Sequence, residues 1–142
     1  MARRSRRPYY VNTNFVVDLK DGVREAIVFA QQHRGLLYTS KLTIKEFARK
    51  RLAWLAKRVC AQYDIAIVKP RKARVRIRRE AALAFAKAGG SSPNTFIDYL
   101  HVYTALYTGA RYFVTADDAT CNRALRAGLC CVNHRTGVLQ CP

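Results

Sequence analysis

Four polar residues in separate parts of the chain carry oxygen atoms of the kind that bind divalent cations. They are Asn12, Glu46, Asp98 and Asp117. Mg²⁺ and Mn²⁺ prefer oxygen ligands, and ions held in this way activate water and neutralise charge on a phosphate. Neighbouring carboxylates repel one another, so a bound cation keeps them ionised. These residues predict metal-dependent phosphate chemistry, provided that the fold brings them together.

Short apolar segments alternate with longer amphipathic segments along the chain. The predicted strands cover residues 9–11, 36–38, 112–114 and 129–132. The predicted helices cover residues 23–32, 43–63, 81–88, 95–107 and 118–127. This alternation is typical of a parallel sheet covered by helices on both faces, because parallel strands need crossover connections. The sequence therefore predicts an α/β fold with three α/β/α layers and a short parallel sheet.

Ligands of such folds bind beyond the carboxyl ends of the strands. Asn12 ends the first predicted strand, and Asp117 lies just past the strand that ends near Thr115. Glu46 is predicted in the first turn of the helix that follows the second strand. Asp98 is predicted in the first turn of the helix that leads back into strand 112–114. All four residues are therefore expected on one edge of the sheet.

Each carboxylate also has a purely structural interpretation. Glu46 and Asp98 each follow a threonine by three residues, which is the spacing of a helix capping box. Asp117 or Asp118 is suitably placed to cap the helix after it. Taken singly, each acid is better explained by capping than by catalysis, so the shared edge carries the functional interpretation.

Four segments resemble the motifs of PIN domains, in the order of that family and over nearly the whole chain. Residues 10–17, YVNTNFVV, resemble the opening motif, where a strand ends in Asp-Thr-Asn. Residues 38–47 resemble the second acidic motif, with its acid at Glu46. Residues 98–106 resemble the third, an Asp followed at three residues by a histidine, here His101. Residues 109–117 resemble the fourth, a strand that runs into Thr-x-Asp.

The resemblance implies a PIN-like α/β/α sheet, cleavage of RNA with Mg²⁺ or Mn²⁺, and often a homodimer. Many small members resemble the toxins of VapBC-type pairs, which bind an antitoxin protein, and others process ribosomal RNA. By the same resemblance, Glu46, Asp98 and Asp117 hold metal directly or through water. Thr115 orients Asp117 or a water molecule.

Asn12 stands where the family has its first aspartate. An amide oxygen can contact Mg²⁺, but it carries no charge and cannot act as a base. The loss of one negative charge weakens the binding of a divalent ion. Three explanations stay open, namely a naturally weak enzyme, an inactive RNA-binding relative, or an engineered change that silences a toxic nuclease.

The chain is strongly basic, with 26 Lys and Arg against 9 Asp and Glu and a net charge of +17. Such a surplus attracts polyanions, and nucleic acid is the natural partner. The densest run is predicted to contact RNA phosphates and comprises Lys69, Arg71, Lys72, Arg74, Arg76, Arg78 and Arg79. The alternative is a solvated helix face, and the interleaved Val75 and Ile77 allow part of the run to be extended.

Residues 1–8 are predicted to form a flexible basic arm, and residues 9–142 a single domain. The arm from Arg3 to Arg7 is a second, weaker candidate for RNA contact. No apolar run approaches the roughly 18 residues of a membrane helix, and the N-terminus lacks a secretory signal. The chain is therefore expected to be cytoplasmic, without a membrane partner.

The five cysteines include no C-x-x-C pair, which argues against zinc. They are expected to be buried thiols, although a disulfide of Cys141 is conceivable in a hyperthermophile. His33 and His134 are expected at exposed ends of elements. His101 is expected to be structural and bonded to a neighbouring carboxylate or carbonyl.

The leading hypothesis is a metal-dependent endoribonuclease that hydrolyses RNA phosphodiester bonds. An alternative is a catalytically inactive RNA-binding or assembly factor on the same fold. A third is a ribosome-associated basic protein whose acids only cap helices. No phosphate-binding loop or dinucleotide-binding glycine motif occurs, so nucleotide cofactors are not indicated.

Overall fold

A computed structural model describes residues 6–142, which form one mixed sheet with helices on both faces. The strands are β1 (Tyr9–Val11), β2 (Leu37–Ser40), β3 (Ala66–Val68), β4 (Tyr112–Val114), β5 (Cys130–Val132) and β6 (Leu139–Gln140). Their order is β3-β2-β1-β4-β5-β6, with β1 to β5 parallel and β6 antiparallel to β5. β1 therefore lies at the centre, between β2 and β4.

The helices form the two outer layers. They are α1 (Thr13–Lys20), α2 (Arg24–Gln32), α3 (Lys41–Ala48), α4 (Ala53–Gln62), α5 (Arg74–Lys87), α6 (Pro93–Tyr107) and α7 (Asp118–Arg126). α1 to α4 cover one face of the sheet, and α5 to α7 lie on the other. The predicted three-layer α/β/α fold is confirmed. Within residues 6–142, no helix is long and apolar enough to cross a membrane.

Strand alternation divides the core between the two faces. Val11 and Val114 pack with Phe15 of α1 on one face. Tyr10 and Phe113 point to the opposite face, where their rings stack with centroids 5.5 Å apart. Successive strand residues face opposite sides of a sheet, so adjacent buried residues imply a sheet covered on both sides.

The predicted helix over residues 43–63 is wrong, because the chain forms α3 and α4 with a break at residues 49–52. Arg51 adopts φ 60°, which no helical residue has. The break lets α4 fold back against α3, so Phe47 and Ala56 both reach the core. Apolar residues keep their helical spacing across the break, so the sequence pattern does not reveal it. α1, β3 and β6 were not predicted, since short elements depend on packing or pairing with the rest of the fold.

The basic segments are placed differently from each other. Residues 1–5 of the predicted flexible arm lie outside the described residues. Arg7 donates to the carbonyl oxygens of Leu37 and Asp64, at 2.9 and 2.5 Å, and pairs with the Asp64 carboxylate. In the dense basic run, α5 begins at Arg74, so an extended conformation is wrong from that residue onward.

Four of the five cysteines form disulfides, Cys121–Cys131 and Cys130–Cys141. The expectation of buried thiols is therefore wrong for these four and correct for Cys60, where burial raises the pKa to about 12. The antiparallel register of β5 and β6 pairs Cys131 with Gln140, which brings Cys130 beside Cys141. This pairing depends on β6, which the sequence pattern did not reveal.

Thiol titration tests the disulfide assignment. The unfolded, unreduced protein should expose one reactive thiol, that of Cys60, and the reduced unfolded protein should expose five. The native protein should react slowly, because Cys60 is buried and its thiol resists ionisation. Three or five thiols without reductant would contradict the assignment, and Cys60→Ala should abolish the signal of the unreduced sample.

Candidate acidic site at the carboxyl edge of the sheet

The parallel strands β2, β1 and β4 end at the same edge, and the candidate residues follow their ends. Asn12 comes directly after β1, and Asp117 lies three residues after β4. Glu46 and Asp98 are each the sixth residue of a helix, α3 and α6, so their predicted first-turn positions are wrong. Burial raises the pKa of Asp98, and the charges of Asp117 and Glu46 raise it further. His101, one turn after Asp98 on α6, contacts Glu46, and Thr115 contacts both Asn12 and the Asp117 backbone.

Glu46 is held by two side chains from different elements. Its Oε1 accepts a hydrogen bond from Thr13 Oγ1 at 2.6 Å and lies 2.5 Å from His101 Nε2. Burial opposes the charge of Glu46, but these contacts outweigh burial and lower its pKa. Ser40, not Glu46, caps α3 by accepting from Leu42 N–H. The capping-box interpretation of Glu46 is therefore wrong.

His101 joins this carboxylate to the core. Its Nδ1 lies 2.7 Å from the Tyr10 hydroxyl, which lies 2.8 Å from Ser40 Oγ. The Nε2 atom faces the Glu46 carboxylate, an acceptor, so Nε2 carries a hydrogen. The expected bond between His101 and a neighbouring carboxylate is confirmed. The network crosses the end of the sheet and links α6 on one face with α3 on the other.

Thr115 organises the residues around β1 and β4. Its Oγ1 accepts from Asn12 Nδ2 at 3.1 Å, Asn14 Nδ2 at 3.0 Å and the Asp117 backbone N–H at 3.1 Å. A hydroxyl offers two lone pairs and one hydrogen, so three donors exceed its capacity. None of the described residues accepts the Thr115 hydrogen, and the Oδ1 atoms of Asn12 and Asn14 are buried without partners. An oxygen at position 12 that faced Thr115 would accept that hydrogen, whether it belonged to an aspartate or to the Asn12 amide rotated by 180°.

Asp117 caps α7, as one interpretation of the sequence expected. Its Oδ1 accepts from Ala119 N–H at 3.1 Å, and its Oδ2 accepts from Thr120 Oγ1 at 2.8 Å. Asp118 lies exposed at the first position of the helix. Capping leaves further lone pairs on the Asp117 carboxylate, so it remains able to accept from a ligand.

Asp98 has the weakest protein partner of the three acids. Its Oδ2 lies 3.4 Å from Arg123 Nη1, with which it forms an ion pair. Asp98 does not cap α6. The pair does not offset burial, which raises the pKa of Asp98. Of the three carboxylates, that of Asp98 is therefore the most readily released to a cation.

The oxygen donors fit a hard divalent cation, and the buried, unpartnered Asn12 Oδ1 adds one more such donor. Within residues 6–142, however, no three His, Cys, Asp or Glu side chains are arranged to hold a metal ion. Each acid instead has a protein partner, namely His101, Arg123 or the start of α7. Metal binding would require these side chains to turn, with Arg123 leaving Asp98.

A buried ion-pair network holds α1, which carries Thr13 and Asn14. The His134 Nε2 lies 2.7 Å from Asp18 Oδ2, and Arg135 donates to both oxygens of Asp18 at 2.8 and 2.7 Å. His134 is 3% exposed, so its predicted exposed position is wrong. His33 is half-buried and stacks on Phe29. Asp18 lies 116 residues from His134, which is why no local pattern revealed the network.

The basic run divides around a cleft beside β2. Lys69, Arg71, Arg74 and Arg78 line the cleft, together with Lys41 and Lys45 of α3, which the sequence interpretation missed. Lys72, Arg76 and Arg79 lie on exposed surface outside it. The cleft also includes Ser40, so it borders the network that holds Glu46.

Comparison with known sequences leaves the site to be interpreted from its own geometry. No protein-family model matches the chain, and no curated protein matches it.

Replacing Asp18 tests whether the buried network stabilises the fold. Asp18→Asn should lower the free energy of unfolding at neutral pH by about 2–3 kcal/mol, because His134 and Arg135 lose a charged partner. The pKa of Asp18 is lowered in the folded state. The stabilisation by its carboxylate is therefore complete above the ordinary pKa of 3.8 and declines at lower pH. Denaturant unfolding between pH 7 and acid measures both effects, with exposed Asp21→Asn as control. Equal stability of the two variants would contradict this role.

Replacing Asp98 tests whether the charge of this buried carboxylate destabilises the fold. The pKa of Asp98 is raised in the folded state, so its ionised form destabilises the protein above that pKa. Asp98→Asn should therefore raise the thermal midpoint at pH 7 in EDTA, and exposed Asp118→Asn should not. A lower midpoint for Asp98→Asn would mean that the Arg123 pair outweighs burial and like-charge repulsion.

Proposed function

We propose that this protein is a metal-dependent endoribonuclease of PIN type, which hydrolyses RNA phosphodiester bonds. The observation that carries the proposal is the convergence of Asn12, Glu46, Asp98, Thr115 and Asp117 on one sheet edge. These residues come from four separate segments that resemble the PIN motifs in order. Helix capping does not explain this convergence, because Asp117 is the only one of the three acids that caps a helix.

A bound Mg²⁺ or Mn²⁺ would supply charge neutralisation and a water of lowered pKa at this edge. Glu46, Asp98 and Asp117 would hold it, with Asn12 Oδ1 as a neutral donor. Thr13 and His101 orient Glu46 through the same oxygen, which leaves Oε2 directed elsewhere. Thr115 fixes the backbone of Asp117 through its N–H. These contacts hold Glu46 and the backbone of Asp117 in place before a substrate binds, whereas the Asp98 side chain would have to leave Arg123 to reach a metal ion.

RNA is the proposed substrate because positive charge surrounds the acidic edge. The basic cleft borders it through Ser40, and Lys20 and Lys50 line a second depression together with Glu46. A polyanion drawn to these lysines and arginines is brought to the carboxylates, which alone would repel it. From the resemblance, we further propose that the protein forms a homodimer, has an antitoxin partner and is cytoplasmic. Two disulfides suit that location only where intracellular disulfides persist, as in hyperthermophiles.

A catalytically inactive RNA-binding factor is the second candidate. Asn12 favours it, because the amide adds no charge to attract a cation. The protein partners of Glu46, Asp98 and Asp117 also favour it, since each acid is already engaged. The two candidates differ in whether a metal ion binds at the edge.

Restoring a carboxylate at position 12 tests the proposed function. Asn12→Asp should raise Mn²⁺-dependent cleavage of single-stranded RNA by roughly tenfold or more, because one added charge tightens binding of a divalent ion. Mn²⁺ should also raise the thermal midpoint of this variant more than that of the parent protein. In the Asn12→Asp background, Glu46→Gln and Asp117→Asn should remove the cleavage, whereas exposed Asp118→Asn should not.

Two results would decide against an enzyme. Cleavage that is insensitive to EDTA, or equal in the parent and Glu46→Gln proteins, would indicate a contaminant. Absence of both Mn²⁺ stabilisation and cleavage in a folded Asn12→Asp variant would favour the RNA-binding factor.

A further inference from the structure

The cleft beside β2 is lined by six positive side chains and no acid. Its cations are Lys41, Lys45, Lys69, Arg71, Arg74 and Arg78, around a volume of about 330 Å³. The neighbouring Lys41 ammonium lowers the pKa of Lys69, and the charges of Arg71 and Lys45 lower it further. So many like charges at one place repel one another, and an anion between them would relieve the repulsion.

Two helices begin at this cleft. α3 starts at Lys41, with Ser40 as its cap, and α5 starts at Arg74. The first N–H groups of any helix lack a partner within the helix, and in α5 no side-chain cap and no acidic residue of the first turn compensates for this. The start of a helix carries partial positive charge and binds anions, phosphate above all. The backbone therefore adds to the side-chain charge at the same place.

The remaining lining is largely apolar. Leu42, Pro70, Ile77 and Leu100 contribute to the cleft, and Ile77 is 4% exposed. A cleft of this volume is in the range that holds a small organic ligand, larger than an inorganic ion needs. Cations at the rim and aliphatic side chains beneath match a ligand with a phosphate group and a flat, weakly polar part.

We propose that this cleft binds one nucleotide unit of an RNA strand, with its phosphate between the cations and helix starts and its base over the aliphatic side chains. The cleft is next to the acidic edge, because Ser40 Oγ lies 2.8 Å from the Tyr10 hydroxyl, which contacts His101. A strand anchored here continues toward Glu46. The inference rests on the proposed function for the identity of the strand as substrate, but the binding itself needs no metal.

The basic run supplies its own control. Arg71, Arg74 and Arg78 line the cleft, whereas Lys72, Arg76 and Arg79 belong to the same segment and do not. The Arg76 guanidinium instead lies 4.4 Å from the centre of the Tyr107 ring. Two triple alanine variants, one for each set, remove the same charge from the same part of the chain.

The test measures binding of a short fluorescein-labelled RNA by anisotropy in EDTA, over a range of salt concentrations. The cleft variant should bind about tenfold or more weakly, and its salt slope should fall by about one for each lost phosphate contact. The control variant should lose clearly less. Circular dichroism and thermal melting verify that both variants fold, and Lys45→Ala provides a single change from a different helix. Equal losses in the two triple variants would overturn the proposal, because charge alone would then explain binding.

Competition identifies the ligand chemistry. Uridine monophosphate should displace the RNA at lower concentration than either uridine or inorganic phosphate, since only it fills both parts of the cleft. If RNA with a 5′-phosphate binds more strongly than RNA without one, the cleft holds a terminal phosphate. If the two bind equally, the cleft holds an internal phosphodiester. Both results support the proposal. Displacement by polyglutamate as effectively as by unlabelled RNA would overturn it in favour of an acidic protein partner.

The outcome is separable from that of the proposed function. Cleft-dependent RNA binding without any cleavage would support this inference and leave the nuclease proposal unsupported. If the Asn12→Asp variant cleaves RNA and the three cleft substitutions change neither its cleavage nor its RNA binding, the nuclease proposal is supported and the inference about the cleft is overturned.

Discussion

Parallel pairing of β1 with β2 and β4 is the constraint on which the rest of the structure depends. It makes three strands end at one edge, and it requires the chain to return through helices that cover both faces of the sheet. Residues that follow the strands then meet, although they are distant in sequence. Asn12 N–H bonds Val114 O, and Thr115 N–H bonds Val132 O, so the ladder itself holds these residues in position.

The acidic edge is balanced by contacts that cross between layers. Glu46 of α3 is held by His101 of α6, and His101 is held by Tyr10 at the centre of the sheet. Asp98 lacks comparable support, and it is the acid whose charge the fold disfavours. Burial outweighs the Arg123 ion pair at Asp98, and a carboxylate whose charge the fold disfavours is common at functional sites.

The acidic and basic surfaces share one helix. α3 carries Lys41 and Lys45 on its cleft side and Glu46 beside the acidic edge. Successive residues of a helix point about 100° apart, so neighbours in sequence can face different surfaces. The basic cleft and the acidic edge are therefore adjacent on the surface, although they face different directions. The Asp18 network ties α1 to the segment after β5, and the two disulfides tie α7 and the C-terminal strand to β5.

The sequence by itself determined the α/β class, the central strands and the common edge of Asn12, Glu46, Asp98 and Asp117, because strand alternation and helix periodicity are local signals. Only the tertiary structure decided the contacts. It broke the predicted helix 43–63, since α4 must fold back to bury its apolar side, and it buried His134 against a residue of α1. It paired cysteines through a strand too short to recognise. It also divided one continuous basic run into cleft and surface residues, a distinction that depends on which side of α5 packs on α6 and lines the cleft with α3.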